Sequence, residues 1–238
     1  MTLAVQADRA AFLALGRTTA IQRQDYSAWH RGRAWYAVWV VDFVDVDILA
    51  YLRQLREHFA DMLFNPCARQ PHVTVFVSGF WVQQAQWDDD YTPAQYQAQQ
   101  RRLQHLDLPA FAIGLGAINS FASALYVEVH DLEQGLATVR QALAEVMPEL
   151  RWGPYIPHVT IGVYRAALPT AAVVQRMQRS APQCLRRVRV QGVHLVTYAA
   201  RELLGPLHTR YTHSFGRTTA PDGVGTGLSG LGQHAGEK

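Results

Sequence analysis

PHVTVFV at residues 71–77 and PHVTIGV at residues 157–163 agree at five of seven positions and stand 86 residues apart. Both stretches are rich in β-branched residues and read as strands, over 72–80 and 158–165. Alternate side chains of a strand share a face. His72 and Thr74 therefore stand on one face, with Val73, Val75 and Val77 opposite. His158 and Thr160 are set in the same way against Val159, Ile161 and Val163. The aliphatic faces suit packing under helices, which leaves the two His/Thr faces to line a cleft.

The surroundings repeat as well. The same offset carries Asp45 onto Asp131 and Asp47 onto Glu133. These acids precede helices expected to reach about Phe59 and, from Glu133, about Val146. Residues 34–43 read as a buried strand, and its part 36–43 falls roughly on strand 124–130. The order strand, acidic cap, helix, His-Val-Thr strand thus occurs twice, which predicts a duplicated α+β architecture. A pseudo-two-fold axis would bring the two histidine strands face to face. Helices over 93–105 and 170–180 and strands over 110–118, 187–198 and 207–215 complete the domain, expected over 34–216. Residues 1–33 read as an N-terminal arm with a short helix at Ala7–Leu15. The glycine-rich stretch 217–238 reads as a disordered tail.

With 238 residues, 49% of them apolar and 17% charged, the chain can bury a core as one domain or two small lobes and is not of disordered composition. The longest near-continuous apolar run, Ala34–Val41, is too short to span a bilayer as a helix, so no membrane is expected as a partner. The N-terminus lacks the pattern of a secretory signal, and Cys67 and Cys184 cannot build a disulfide framework or a cysteine zinc site. A reducing cytoplasm is the expected location. The net charge of +3 suits a phosphate-bearing ligand. Lys238 is the sole lysine, and a genome bias toward arginine accounts for that more simply than a purpose-built surface.

Two imidazoles and two hydroxyls converging from separate strands make a site with definite chemistry. The ordinary histidine pKa lies near 6.5, so one ring can be neutral while its twin is protonated. That supplies a general base and a general acid on opposite sides of one reacting atom. The threonine hydroxyls can hold the non-bridging oxygens of a phosphate. A single His-x-Thr would be an ordinary strand feature; twin copies with matching Pro and Val neighbours are far more specific. No HExxH, HxH or nearby carboxylate completes a zinc site, so no metal and no cofactor is expected. A serine nucleophile is excluded by the lack of G-x-S-x-G, and nucleotide-loop signatures are missing too.

Secondary candidates for stacking on a base are Tyr36, Trp81, Tyr155 and Tyr164, and Arg165 is a candidate for a substrate phosphate. Each is at least as readily a packing or surface residue. Arg186, Arg187 and Arg189 read as a basic rim or as a solvated edge strand. The carboxylates of Asp88–Asp90 read as a solvated loop.

The paired strands PHVTV and PHVTI, their spacing and the strand–helix order resemble the 2H phosphoesterase superfamily, which includes the 2′-5′ RNA ligase and cyclic-phosphodiesterase branch. The resemblance covers roughly residues 34–215. It implies a bilobal fold with two antiparallel sheets facing across a central cleft and helices outside. It also implies His72 and His158 as the catalytic pair, Thr74 and Thr160 on the phosphate, and reaction without metal. The expected reaction is hydrolysis of 2′,3′-cyclic or related cyclic or 2′-5′ phosphodiesters. The expected partner is an RNA terminus or small nucleotide with a cyclic phosphate, acted on by a monomer. Ligation to a 2′-5′ bond is the chemical reverse and stays open. So do a binding module that uses the same cleft without catalysis, and a two-histidine metal site.

Overall fold

The computed structural model describes residues 9–22, 26–150, 153–180 and 185–216. The expected disordered tail and the first residues of the expected N-terminal helix lie outside them. A helix over 9–14 and a single helical turn, Ser27–His30, precede the main body.

Nine strands follow among the described residues: β1 Trp35–Asp42, β2 His72–Trp81, β3 Asp90–Tyr91, β4 Phe111–Ser120, β5 Ala124–Asp131, β6 His158–Val163, β7 Arg186–Val190, β8 Gly192–Ala199 and β9 His208–Ser214. Four helices of ten or more residues accompany them: α1 Val46–His58, α2 Pro93–Gln104, α3 Gly135–Ala144 and α4 Thr170–Arg179.

The strands form one sheet in the order β7-β4-β5-β6-β2-β1-β8-β9, with β3 added beside β2. All pairings are antiparallel except β2 with β3. The α+β class and the two antiparallel halves match expectation. The halves are not separate sheets, however. They meet at β2 and β6 through the pair Val73 and Val159.

Outward from that seam the order β6-β5-β4-β7 mirrors β2-β1-β8-β9, which is compatible with a pseudo-two-fold. The register repeats in detail. In one half Asp42 faces His72, Val40 faces Thr74 and Trp39 faces Phe76, so Val75 is an extra residue. In the other, Glu128 faces His158, Tyr126 faces Thr160 and Leu125 faces Gly162, so Ile161 is an extra residue. Each His-x-Thr strand thus bulges directly after its threonine. A bulge bends a strand and re-aims its side chains, and bulges gather beside active sites.

The main core lies between the sheet and the helices. It takes in Trp39, Val73, Val75, Phe76, Val159 and Ile161 with Ile48, Leu52 and Leu55 of α1 and Leu136, Val139 and Leu143 of α3. Asp45 caps α1 by accepting from the Asp47 and Ile48 amides at 2.9 and 3.1 Å. The expected acidic cap on α3 works differently. The residue before α3 is Gln134, with φ of 59°, and it makes no side-chain cap bond. Asp131 instead accepts from the Ala137 amide at 2.9 Å, and Glu133 accepts from the Ala112 amide at 2.9 Å.

Two expectations need correction. The expected strand 187–198 is two strands, broken at Gln191, and they belong to opposite halves: β7 pairs with β4 while β8 pairs with β1. A local pattern of β-branched residues cannot reveal a change of neighbour. Asp88–Asp90 is not a plain solvated loop. Asp90 is 3% exposed and lies 2.5 Å from Arg33, which also bonds Asp89 at 2.6 Å. The pairing partner sits more than fifty residues away in sequence, so no local signal marks it.

Candidate active site

The antiparallel pairing of Val73 with Val159 fixes which side chains share a face. Both valines are fully buried on the helix side. His72, Thr74, His158 and Thr160 therefore stand together on the other face, flanking the seam. Strand spacing of ~4.8 Å and a two-residue rise of ~6.8 Å put the two histidine Cα atoms about 8 Å apart on a diagonal. Neither histidine is packed away: both are partly exposed, as is Thr74, and Thr160 is exposed.

Both rings are held alike. His72 Nδ1 lies 2.8 Å from the Gln70 carbonyl oxygen, and His158 Nδ1 lies 2.7 Å from the Ile156 carbonyl oxygen. A carbonyl oxygen only accepts, so each Nδ1 carries the hydrogen. Nε2 is then the basic nitrogen of the neutral ring in both cases. Burial pushes the His72 pKa down to about 4, and the charges of Arg69 and His158 push it the same way. His72 is neutral at physiological pH for that reason.

Phe121 stacks on Tyr126 at 4.2 Å between ring centroids and meets His158 edge-on at 5.0 Å, with Tyr126 itself 5.3 Å from His158. These two rings wall one side of the His158 imidazole. Across the strands, Asp42 bonds His194 at 3.1 Å, and Glu128 accepts from Asn119 at 2.9 Å.

A cavity of about 490 Å³ opens beside His72, Thr74 and Thr160. Its lining includes Arg53 and Arg56 from α1 and Arg69 from the segment before β2. Sequence reading missed all three arginines. The two on α1 lie one helical turn apart next to Leu49 and Leu52, and only the packing of α1 against β6 shows that this stripe borders the site. Among the described residues no group of three His, Cys, Asp or Glu side chains is placed to hold a metal ion. No described helix is long and apolar enough to cross a membrane.

The secondary candidates do not line that cavity. Tyr164 is fully buried, and its hydroxyl meets Ser120 at 2.6 Å while burial lifts its pKa to about 12, so it has no face for a base. Trp81 packs on Tyr91 and Tyr96 at 5.7 and 5.6 Å. Tyr155 donates to the Thr74 carbonyl at 3.1 Å beneath the Arg140 guanidinium. Tyr36 is buried among Trp29, Phe80 and Tyr198. Arg165 is exposed on the surface, its charge felt by Asp61. For the four aromatic candidates a tertiary neighbour claims a residue that the sequence leaves available. In the arginine run, Arg187 and Arg189 bond Glu133 at 2.6 and 3.4 Å, and Arg186 lies over the Tyr51 ring at 4.4 Å.

The sequence profile of the 2′-5′ RNA ligase superfamily matches residues 44–202, a span that holds both His-x-Thr strands. The chain belongs to the 2′-5′ RNA ligase superfamily. Among solved structures, Escherichia coli LigT complexed with 3′-AMP is similar at a TM-score of 0.52 and 14% identity, over 77% of this chain and 99% of LigT. TT0787 of Thermus thermophilus is similar at a TM-score of 0.50 and 15% identity, over 76% of this chain and 97% of that one. At these identities the likeness concerns the fold of the superfamily. A comparison with curated protein sequences finds no match.

Proposed function

We propose that this member of the 2′-5′ RNA ligase superfamily is a metal-independent phosphodiesterase that opens 2′,3′-cyclic or related cyclic or 2′-5′ phosphodiesters of RNA ends or nucleotides. The observation that carries this reading is the pairing of Val73 with Val159, which sets His72, Thr74, His158 and Thr160 on one face, next to a cavity lined by His72, Thr74 and Thr160. LigT, of the same fold, has been crystallised with 3′-AMP, in keeping with a nucleotide in such a cleft.

His72 is neutral at physiological pH, so its Nε2 lone pair is available for the base role. Its neutral Nε2 takes a proton from the attacking water. The water oxygen forms a bond to phosphorus as the bond from phosphorus to one ribose oxygen breaks. Protonated His158 gives its proton to that departing oxygen. Thr74 and Thr160 donate to the non-bridging oxygens, where charge builds in the transition state. A 5′ hydroxyl that attacks the cyclic ester in place of water gives its proton to the same base, and the departing 3′ oxygen takes one from the same acid, so ligation to a 2′-5′ bond uses the same groups.

The test is turnover of nucleoside 2′,3′-cyclic phosphates and 2′-5′ dinucleotides in excess EDTA, with His72→Ala and His158→Ala alongside. Each variant is expected to lose roughly 10²–10⁴-fold in kcat. Undiminished turnover in both, or abolition of wild-type activity by EDTA alone, overturns the proposal. Binding without turnover of any such ester would mark a binding module instead.

A further inference from the structure

The two halves of the site repeat each other closely, and the place where they differ is informative. In each half a guanidinium grips the bulge of a motif strand. Arg140 of α3 donates to the Val75 carbonyl at 2.5 Å, and Arg56 of α1 donates to the Ile161 carbonyl at 3.1 Å. Beyond that the halves part. Arg140 is neutralised by Glu149 at 2.6 Å and lies over the Tyr155 ring at 3.6 Å. Arg56 forms no ion pair among the described residues and instead borders the open cavity. At the 86-residue offset, Arg53 corresponds to Val139 and Arg56 to Ala142, both buried aliphatic positions of α3. The charge is therefore one-sided.

The cavity gathers Arg53, Arg56 and Arg69 and has no Asp or Glu in its lining. Glu57 borders a separate, smaller hollow that Arg53 and Arg56 also line. Two of the three guanidiniums are fixed in place. Arg56 also donates to the Phe64 carbonyl at 3.3 Å. Arg69 donates through Nε to the Gly205 carbonyl at 3.1 Å and lies over the Tyr198 ring at 4.0 Å. A guanidinium has five N–H donors, so both keep donors to spare. Three cations around one hollow repel each other unless an anion sits among them. Fixed guanidiniums match the geometry of phosphate oxygens in particular.

We propose that this cavity is an anion subsite for a second phosphate of the substrate, one nucleotide away from the ester that His72 and His158 act on. The preferred substrate is then a nucleotide chain end with at least two phosphates rather than a nucleoside cyclic monophosphate. The one-sided charge orients it, so that its phosphate-bearing arm lies along α1. This inference rests on the phosphodiesterase reading for the identity of the reacting ester, but the anion subsite is tested separately from it.

The test compares a nucleoside 2′,3′-cyclic monophosphate with a dinucleotide ending in a 2′,3′-cyclic phosphate, for wild type, Arg53→Glu and Arg53→Lys. Arg53 is exposed, so these variants keep the fold. Arg53→Glu is expected to lose about tenfold or more in kcat/KM on the dinucleotide beyond its loss on the monophosphate. Arg53→Lys should recover much of the difference, and added salt should weaken the dinucleotide preference. Equal losses on both substrates, or no wild-type preference, overturns the subsite. Direct binding of the dinucleotide 2′-phosphate product is measured in parallel. If neither ester is turned over, the catalytic reading falls, while tighter binding of the two-phosphate product by wild type than by Arg53→Glu still supports the subsite and equal binding still overturns it.

Discussion

Val73 and Val159 are paired across the seam that joins β2 to β6, and both side chains are fully buried. This contact sets the spacing of the two histidines on the opposite face. Truncation of either valine removes apolar contact and leaves a void. Val73→Ala and Val159→Ala are each expected to cost about 1–3 kcal/mol of stability in urea denaturation. Each should also lower kcat on a cyclic phosphate, since the pair of rings loses its fixed spacing. A stability loss with kcat unchanged would show that the seam supports the fold without setting the site.

Arg33 is nearly buried between Asp89 and Asp90, and its guanidinium also lies 3.6 Å from the Phe80 ring centroid. Its removal strands the buried Asp90 carboxylate. Arg33→Ala is expected to destabilise by about 3–5 kcal/mol, the usual effect of breaking a buried pair from one side. Arg33→Ala combined with Asp90→Asn should recover part of that loss. Thermal or urea melts of the single and double variants decide the matter.

Gly79 has φ of +121°, where side chains are strained, and a Cβ there would collide with the Asp89 carbonyl oxygen. β2 bends past the Asp89 backbone at this point, and only glycine permits the approach. Gly79→Ala is expected to cost at least about 2 kcal/mol, measured by chemical denaturation. Gly153→Ala has open space but also a positive φ, so its loss should be smaller.

The pH dependence of stability should carry the mark of His72. In the folded protein its pKa is about 4 against an ordinary 6.5. Between those values the unfolded chain takes up a proton that the folded chain refuses. Stability is therefore unaffected above about pH 6.5 and falls as the pH drops toward 4. His72→Gln should flatten this part of the profile in urea titrations at stepped pH. An unchanged slope would show that His72 titrates normally.

The sequence by itself determined which polar side chains share a strand face and the superfamily they mark. The twin His-x-Thr strands, their faces and the 86-residue repeat are covalent facts that follow from strand alternation and residue type. Helix positions were legible for the same reason, since Asp45, Leu52 and Leu55 report a cap and an apolar stripe locally. What tertiary structure alone decided was neighbourhood. It joined the halves into one sheet through Val73 and Val159, sent β7 and β8 to opposite halves, and buried Tyr164 against Ser120. It also paired Arg33 with Asp90 and left Arg53, Arg56 and Arg69 around a hollow without a carboxylate. Alternation and capping act over a few residues and are written in the chain, whereas register, pairing and burial depend on partners brought together only by folding.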